Sequence, residues 1–103
     1  MATAFIQEFT IVDGDTSTTN YDAVTAKLDL QGAAPQGLLL HSAGFDHDAG
    51  VFRIFDVWES REAADRFMRE QLQPLLEQGP ANPDNAAQPD REGMYELHDV
   101  VAG

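Results

Sequence analysis

Residues 51–59 (VFRIFDVWE) constrain this chain more than any other stretch. Aromatic and β-branched side chains occupy both parities, with Arg53 and Asp56 as the polar interruptions. Such a run reads as a strand, and a strand that is apolar on both sides is normally central in its sheet and covered on both faces. With 103 residues, a chain buries roughly 65% of its unfolded surface, enough for one modest core. A single domain over residues 1–103 is therefore expected.

The other elements follow from periodicity. Residues 3–12 (TAFIQEFTIV) alternate, with Phe5, Gln7, Phe9 and Ile11 on one parity and Ile6, Glu8 and Thr10 on the other, which predicts a first strand. Asp13-Gly14-Asp15 breaks it, and a polar loop to Asn20 ends in a helix N-cap. Tyr21, Val24 and Leu28 share one face of a short helix over residues 21–30. Residues 37–45 (GLLLHSAGF) form a second strand, and the turn chemistry of 46–50 (DHDAG) joins it to the third as an antiparallel hairpin. Ser60 caps a second helix over residues 60–78, whose apolar face carries Ala64, Phe67, Met68, Leu72, Leu75 and Leu76. Pro74 removes a backbone donor and should kink or loosen its last turn. Residues 79–93 hold three prolines and form a long loop, a candidate lid, before a last strand at 94–101 (MYELHDVV).

The order βαββαβ predicts an α+β, ferredoxin-like arrangement, with a four-stranded antiparallel sheet and two helices on one face. The opposite face would lie bare, and pairing of two copies through their sheets is the natural remedy.

Charge and composition narrow the function. Eighteen acidic against six basic side chains leave a net charge of −12, which repels nucleic acid and anionic membranes. Without cysteine there is no disulfide, no thiolate metal site and no Cys nucleophile. Met1 to Thr10 lacks a basic segment, and no apolar run approaches the roughly 20 residues that span a bilayer. A cytoplasmic protein is expected.

Candidate chemistry is sparse. His41 interrupts the apolar run Leu38-Leu39-Leu40, where a neutral imidazole can act as a general base or serve as a hydrogen-bonded core residue. Asp56, an acid inside an apolar strand, can orient a histidine or sit at an edge bonded to backbone. Arg53 has the opposite parity and should not share its face. Tyr95 and His98 lie on the last strand with opposite parity, so only one can reach a pocket as proton donor or shuttle. Trp58, Phe55 and Phe67 can wall a site for a flat substrate or fill the core, as can Phe45 and Phe52. Tyr21 can cap the pocket. Ser42 points away from His41, and no Gly-rich phosphate loop or nucleophile elbow is present. Asp46-His47-Asp48 looks like a metal tripod, but neighbours in one turn rarely converge on an ion, so no metal site is expected.

Three segments carry a resemblance: GLLLHSAG (37–44), FDVWESREAADRF (55–67) with its helix start at Trp58-Glu59-Ser60, and YELHDVV (95–101). With the element order, they make the chain similar to the dimeric α/β-barrel superfamily, in particular its small antibiotic biosynthesis monooxygenase-like domains. The resemblance implies a homodimer whose sheets close into a barrel, and a pocket in each protomer between sheet and helices. It implies a cofactor-independent enzyme of monooxygenase, cyclase or isomerase type acting on a small hydrophobic aromatic or polyketide-like molecule. The alternative is a non-catalytic dimeric ligand-binding or regulatory module. Several relatives carry a histidine early on the second helix where this chain has Phe67, so haem is not expected, and neither is any other cofactor.

Overall fold

The computed structural model describes residues 1–30, 32–79 and 89–101. Its strands are β1 (Thr3–Thr10), β2 (Leu38–Asp46), β3 (Val51–Trp58) and β4 (Arg91–Glu96). They form one antiparallel sheet in the order β2-β3-β1-β4. Its helices are α1 (Thr19–Leu28), α2 (Arg61–Phe67) and α3 (Gln73–Glu77), the last two joined by a π-helical turn at Met68–Leu72. The expected ferredoxin-like sheet is present, with α1 and the α2–α3 arm on one face.

Local chemistry explains these elements. Asp46 Oδ1 accepts the Ala49 amide at 3.1 Å, and Gly50 takes a positive φ of 70°, which closes the β2–β3 turn. Ser60 Oγ accepts the Ala63 amide at 3.1 Å, the cap expected from the sequence. The second helix is not continuous. Pro74 lacks an amide hydrogen and its ring would crowd the carbonyl four residues back. The chain widens just before it, with Gln73 N–H reaching back to Met68 O. At the other end of β2, Gly37 has φ +90° and a Cβ there would lie 2.6 Å from the Ala63 Cβ. Glycine at this position lets the entry to β2 pass directly under α2.

The core cluster is Phe5, Trp58, Ala63, Ala64 and Phe67, with Leu28, Leu38, Met68, Leu72 and Met94 packed around it. Trp58 is 1% exposed and its ring lies 5.0 Å from that of Phe67. The register sorts the strand side chains into two faces. Phe5, Gln7, Ile54, Asp56, Trp58 and His41 lie under the helices, while Ala4, Ile6, Phe55, Val57, Leu40 and Tyr95 lie on the far side. Leu40 and Tyr95 are half exposed there. Near the β2–β3 turn, that far face carries an ion network in which Arg53 bonds Glu8 at 2.6 Å and Asp46 at 2.9 Å.

Several boundaries differ from the sequence reading. α1 begins at Thr19 and ends at Leu28, because Asp29 adopts a left-handed conformation (φ 51°) and closes the helix. β4 starts at Arg91 and stops at Glu96, so three residues assigned to the Pro-rich loop 79–93 belong to the sheet. Asp90 sets that start, since its amide donates to Glu8 O at 2.8 Å and its carboxylate accepts the Thr10 amide at 2.6 Å. Residues 80–88, most of the candidate lid, lie outside the described residues.

Candidate functional site

A chain of three polar side chains crosses the space between α1 and the sheet. His41 on β2 and Asp56 on β3 are direct register partners, and Nδ1 of His41 lies 2.6 Å from Oδ1 of Asp56. From α1, the Tyr21 hydroxyl lies 2.7 Å from the other ring nitrogen, Nε2. The side chains of His41 and Asp56 are only 22% and 10% exposed. The directions follow for one protonation state, an ionised Asp56 beside a neutral His41 ring. A carboxylate oxygen accepts, so Nδ1 carries the hydrogen; Nε2 of the neutral ring then accepts, and the phenol donates to it. Burial pushes the Tyr21 phenol above its ordinary range, with the charges of Asp56 and Asp22 adding to the effect. The hydroxyl therefore keeps its proton, and the group able to take one up is the imidazole.

Two spaces meet at this relay. The inner one, of about 70 Å³, is almost wholly apolar and is walled by Phe5, Ile54, Trp58, Phe67, Met68 and Leu72, with His41, Tyr21 and Asp56 at its edge. It has room for about two water molecules at their liquid volume, not for a drug-sized ligand. The outer one is an open cleft of about 400 Å³ between α1 and His41, bordered also by Asp22, Thr25, Ala26 and Asp29. Tyr21 and His41 border both. The ring of Tyr21 packs edge-on against Phe52 at 5.4 Å, which fixes the phenol over the imidazole.

The sequence-predicted residues divide between these places. His41, Asp56, Tyr21, Trp58 and Phe67 come together around the inner cavity. Phe55, Tyr95 and His98 do not. Phe55 pairs with Ile6 and Ser42 on the far sheet face, because its parity is opposite to that of Asp56. Tyr95 pairs with Ala4 on that same far face. His98 falls two residues past the end of β4 and is exposed, so the alternation that paired it with Tyr95 does not extend to it. The polar groups that reach His41 come from β3 and α1, Asp56 and Tyr21, and not from the last strand. Gln7, not singled out from the sequence, also lines the inner cavity, and its signal was a polar residue on the apolar parity of β1. Arg53 sits on the face away from Asp56, as parity requires. Ser42 turns from His41 and donates to Phe55 O at 2.8 Å.

Among the described residues, no group of three or more His, Cys, Asp or Glu side chains is placed to hold a metal ion. In the Asp46-His47-Asp48 turn, Asp46 is committed to Ala49 and Arg53, which hold its carboxyl below its usual range, and His47 stacks on Phe45 at 5.9 Å. No helix among the described residues is long and apolar enough to cross a membrane.

A four-stranded antiparallel sheet in this order, helices on one face and a cavity between them define the architecture of the antibiotic biosynthesis monooxygenase-like domains. Three solved structures bear this out at the level of the fold. An assigned antibiotic biosynthesis monooxygenase from Chloroflexus aurantiacus J-10-fl is 18% identical with a TM-score of 0.64, covering 99% of this chain and 98% of its own. Rv0793 from Mycobacterium tuberculosis is 16% identical with a TM-score of 0.70, covering 99% of this chain and 100% of its own. A variant of SnoaB, a cofactor-independent oxygenase from Streptomyces nogalater, is 14% identical with a TM-score of 0.66, covering 99% of this chain and 98% of its own. No protein-family model matches this chain, and no curated protein matches it significantly.

Proposed function

We propose that this protein is a cofactor-independent enzyme in which His41 removes a proton from a small, flat, largely apolar molecule. One observation carries the reading: a histidine on an apolar cavity wall, its Nδ1 held at 2.6 Å by the nearly buried Asp56. Asp56 fixes the tautomer that leaves Nε2 as the acceptor and stabilises the imidazolium formed when a proton arrives. Proton removal is the step that oxygenation, cyclisation and isomerisation of aromatic polyketide-like molecules share. The fold shared with a cofactor-independent oxygenase supports the same class of chemistry.

The working unit is a homodimer in the cytoplasm. Support for the dimer comes from the far sheet face, where Leu40 and Tyr95 stand half exposed beside Ile6, Phe55 and Val57. A second copy packed there would give β3 the cover that its two apolar faces require.

Deuterium exchange at C10 of 1,8-dihydroxyanthrone, followed by NMR under anaerobic conditions, tests the base. Wild type should accelerate exchange, and His41→Gln should reduce the rate by about 10²–10⁴-fold. An unchanged rate in a folded His41→Gln variant would overturn the assignment. The second reading, a non-catalytic binding module, is favoured by the small inner cavity of about 70 Å³. It predicts binding of the anthrone with no exchange above the buffer rate.

A further inference from the structure

With Asp56 ionised and the His41 ring neutral, every hydrogen in the relay points inward. His41 donates Nδ1–H to Asp56, and Tyr21 donates its O–H to His41 Nε2. The Tyr21 oxygen is then left with lone pairs and no hydrogen to offer. This oxygen belongs to one of the side chains shared by the inner cavity and the outer cleft. A group meeting it from the cleft must therefore be a donor.

We infer that the outer cleft along α1 is the ligand site, that it selects neutral molecules presenting an O–H donor (a phenol or an enol), and that Tyr21 relays that proton to His41. The proton's destination rests on the proposed role of His41 as base; the location and selectivity of the site do not. Size supports the placement, since about 400 Å³ accommodates a molecule of up to three fused rings and about 70 Å³ does not. Charge supports the ligand class. Asp22 and Asp29 border the cleft in a protein of net charge −12, so a carboxylate or phosphate is repelled. A ketone or ether without a hydroxyl meets only the lone pairs of Tyr21.

The transfer is a concerted double shift. The ligand O–H bond breaks as its proton moves to the Tyr21 oxygen, and the Tyr21 O–H bond breaks as its proton moves to Nε2. The products are the ligand anion, an unchanged phenol and an imidazolium paired with Asp56. The cationic ring forms beside the new anion and offsets the acidic border of the cleft while the anion persists.

Three probes of one shape test this: 2-naphthol (neutral donor), 2-methoxynaphthalene (neutral, no donor) and 2-naphthoate (anion). Binding to the full chain is measured by amide NMR titration. 2-Naphthol should shift Asp22, Ala26 and Asp29, which border only the cleft, and should bind about tenfold more tightly than either analogue. In Tyr21→Phe, which keeps the ring but removes the accepting oxygen, the preference of 2-naphthol over 2-methoxynaphthalene should fall to near one. In the enol form of the anthrone the proton to be relayed is on oxygen, and return of deuterium at C10 completes the exchange, so exchange should also slow in this variant. A Tyr21 that only lids the site would leave the preference intact and free Nε2, so faster exchange with an unchanged preference overturns the relay. Shifts confined to Ala64, Phe67 and Met68 would place the ligand in the inner cavity and overturn the site, as would no binding at millimolar 2-naphthol. Cleft binding with the expected preference but no anthrone exchange would sink the proposed enzyme and leave the site standing.

Discussion

His41 and Asp56 face each other across the β2–β3 ladder, with Nδ1 and Oδ1 2.6 Å apart under the helices. The pair lies on adjacent strands of one hairpin, so a rigid backbone sets its geometry rather than a mobile loop. Such placement holds a tautomer and a ring direction at little conformational cost. It also brings a charged group into an apolar layer, and removing that group from water is expensive.

The pair should accordingly contribute little to stability. Asp56→Leu alone leaves the His41 Nδ1–H without its acceptor and should cost about 1–3 kcal/mol. The double variant His41→Leu/Asp56→Leu fills the same space with apolar atoms and should be as stable as wild type or more so. Urea denaturation of the three proteins measures both values. A double variant that loses more than Asp56→Leu alone would mean that the pair is structural.

Tyr21 gives a pH signature. Its folded-state pKa is raised above 10.0 by burial and by the charges of Asp56 and Asp22. A group that holds its proton more tightly when folded adds stability that is complete below its unfolded pKa. That stability is lost as pH climbs through the folded value. The difference between ultraviolet titrations of wild type and Tyr21→Phe isolates this one phenol. Its ionisation should fall above pH 10, and a midpoint at or below 10 contradicts the buried relay.

Gly37 should resist replacement. Its φ of +90° strains any L-residue, and an added Cβ would meet the Ala63 Cβ at 2.6 Å. Gly37→Ala should cost about 2–4 kcal/mol, through backbone strain and overpacking together. Thermal unfolding checks this, and a melting temperature within a degree of wild type would be the contrary result.

Phe67 separates packing from chemistry. Phe67→Ala removes a buried ring that packs at a tilt against Trp58 and should cost about 3–5 kcal/mol. It should also enlarge the inner cavity without touching the cleft. Affinity for 2-naphthol, measured below the melting temperature, should stay within about threefold of wild type. A much tighter complex would mean that ligand enters the enlarged cavity.

Much of this was legible along the chain. The run at 51–59 demanded a central strand, and β3 is central. The 46–50 turn joined β2 to β3, and equal steps outward from it bring His41 opposite Asp56, a juxtaposition the sequence held but did not announce. Ser60 marked its helix start, and Pro74 marked a weak point, although it widened the preceding turn rather than frayed the last one. These features depend on contacts within a few residues or across one short turn, so local chemistry determines them.

What joined distant segments was decided by the tertiary structure. No short turn fixes the register of β4 against β1, so the facing of Tyr95 and the exclusion of His98 from the strand followed from the Asp90 contacts to Glu8 and Thr10. Tyr21 reaches His41 because the packing of α1 over the sheet closes twenty residues of sequence separation to 2.7 Å. Periodicity identifies which face of a helix or strand is apolar. Only the docking of one apolar face on another determines which polar atoms meet, and the proton relay exists only at that meeting.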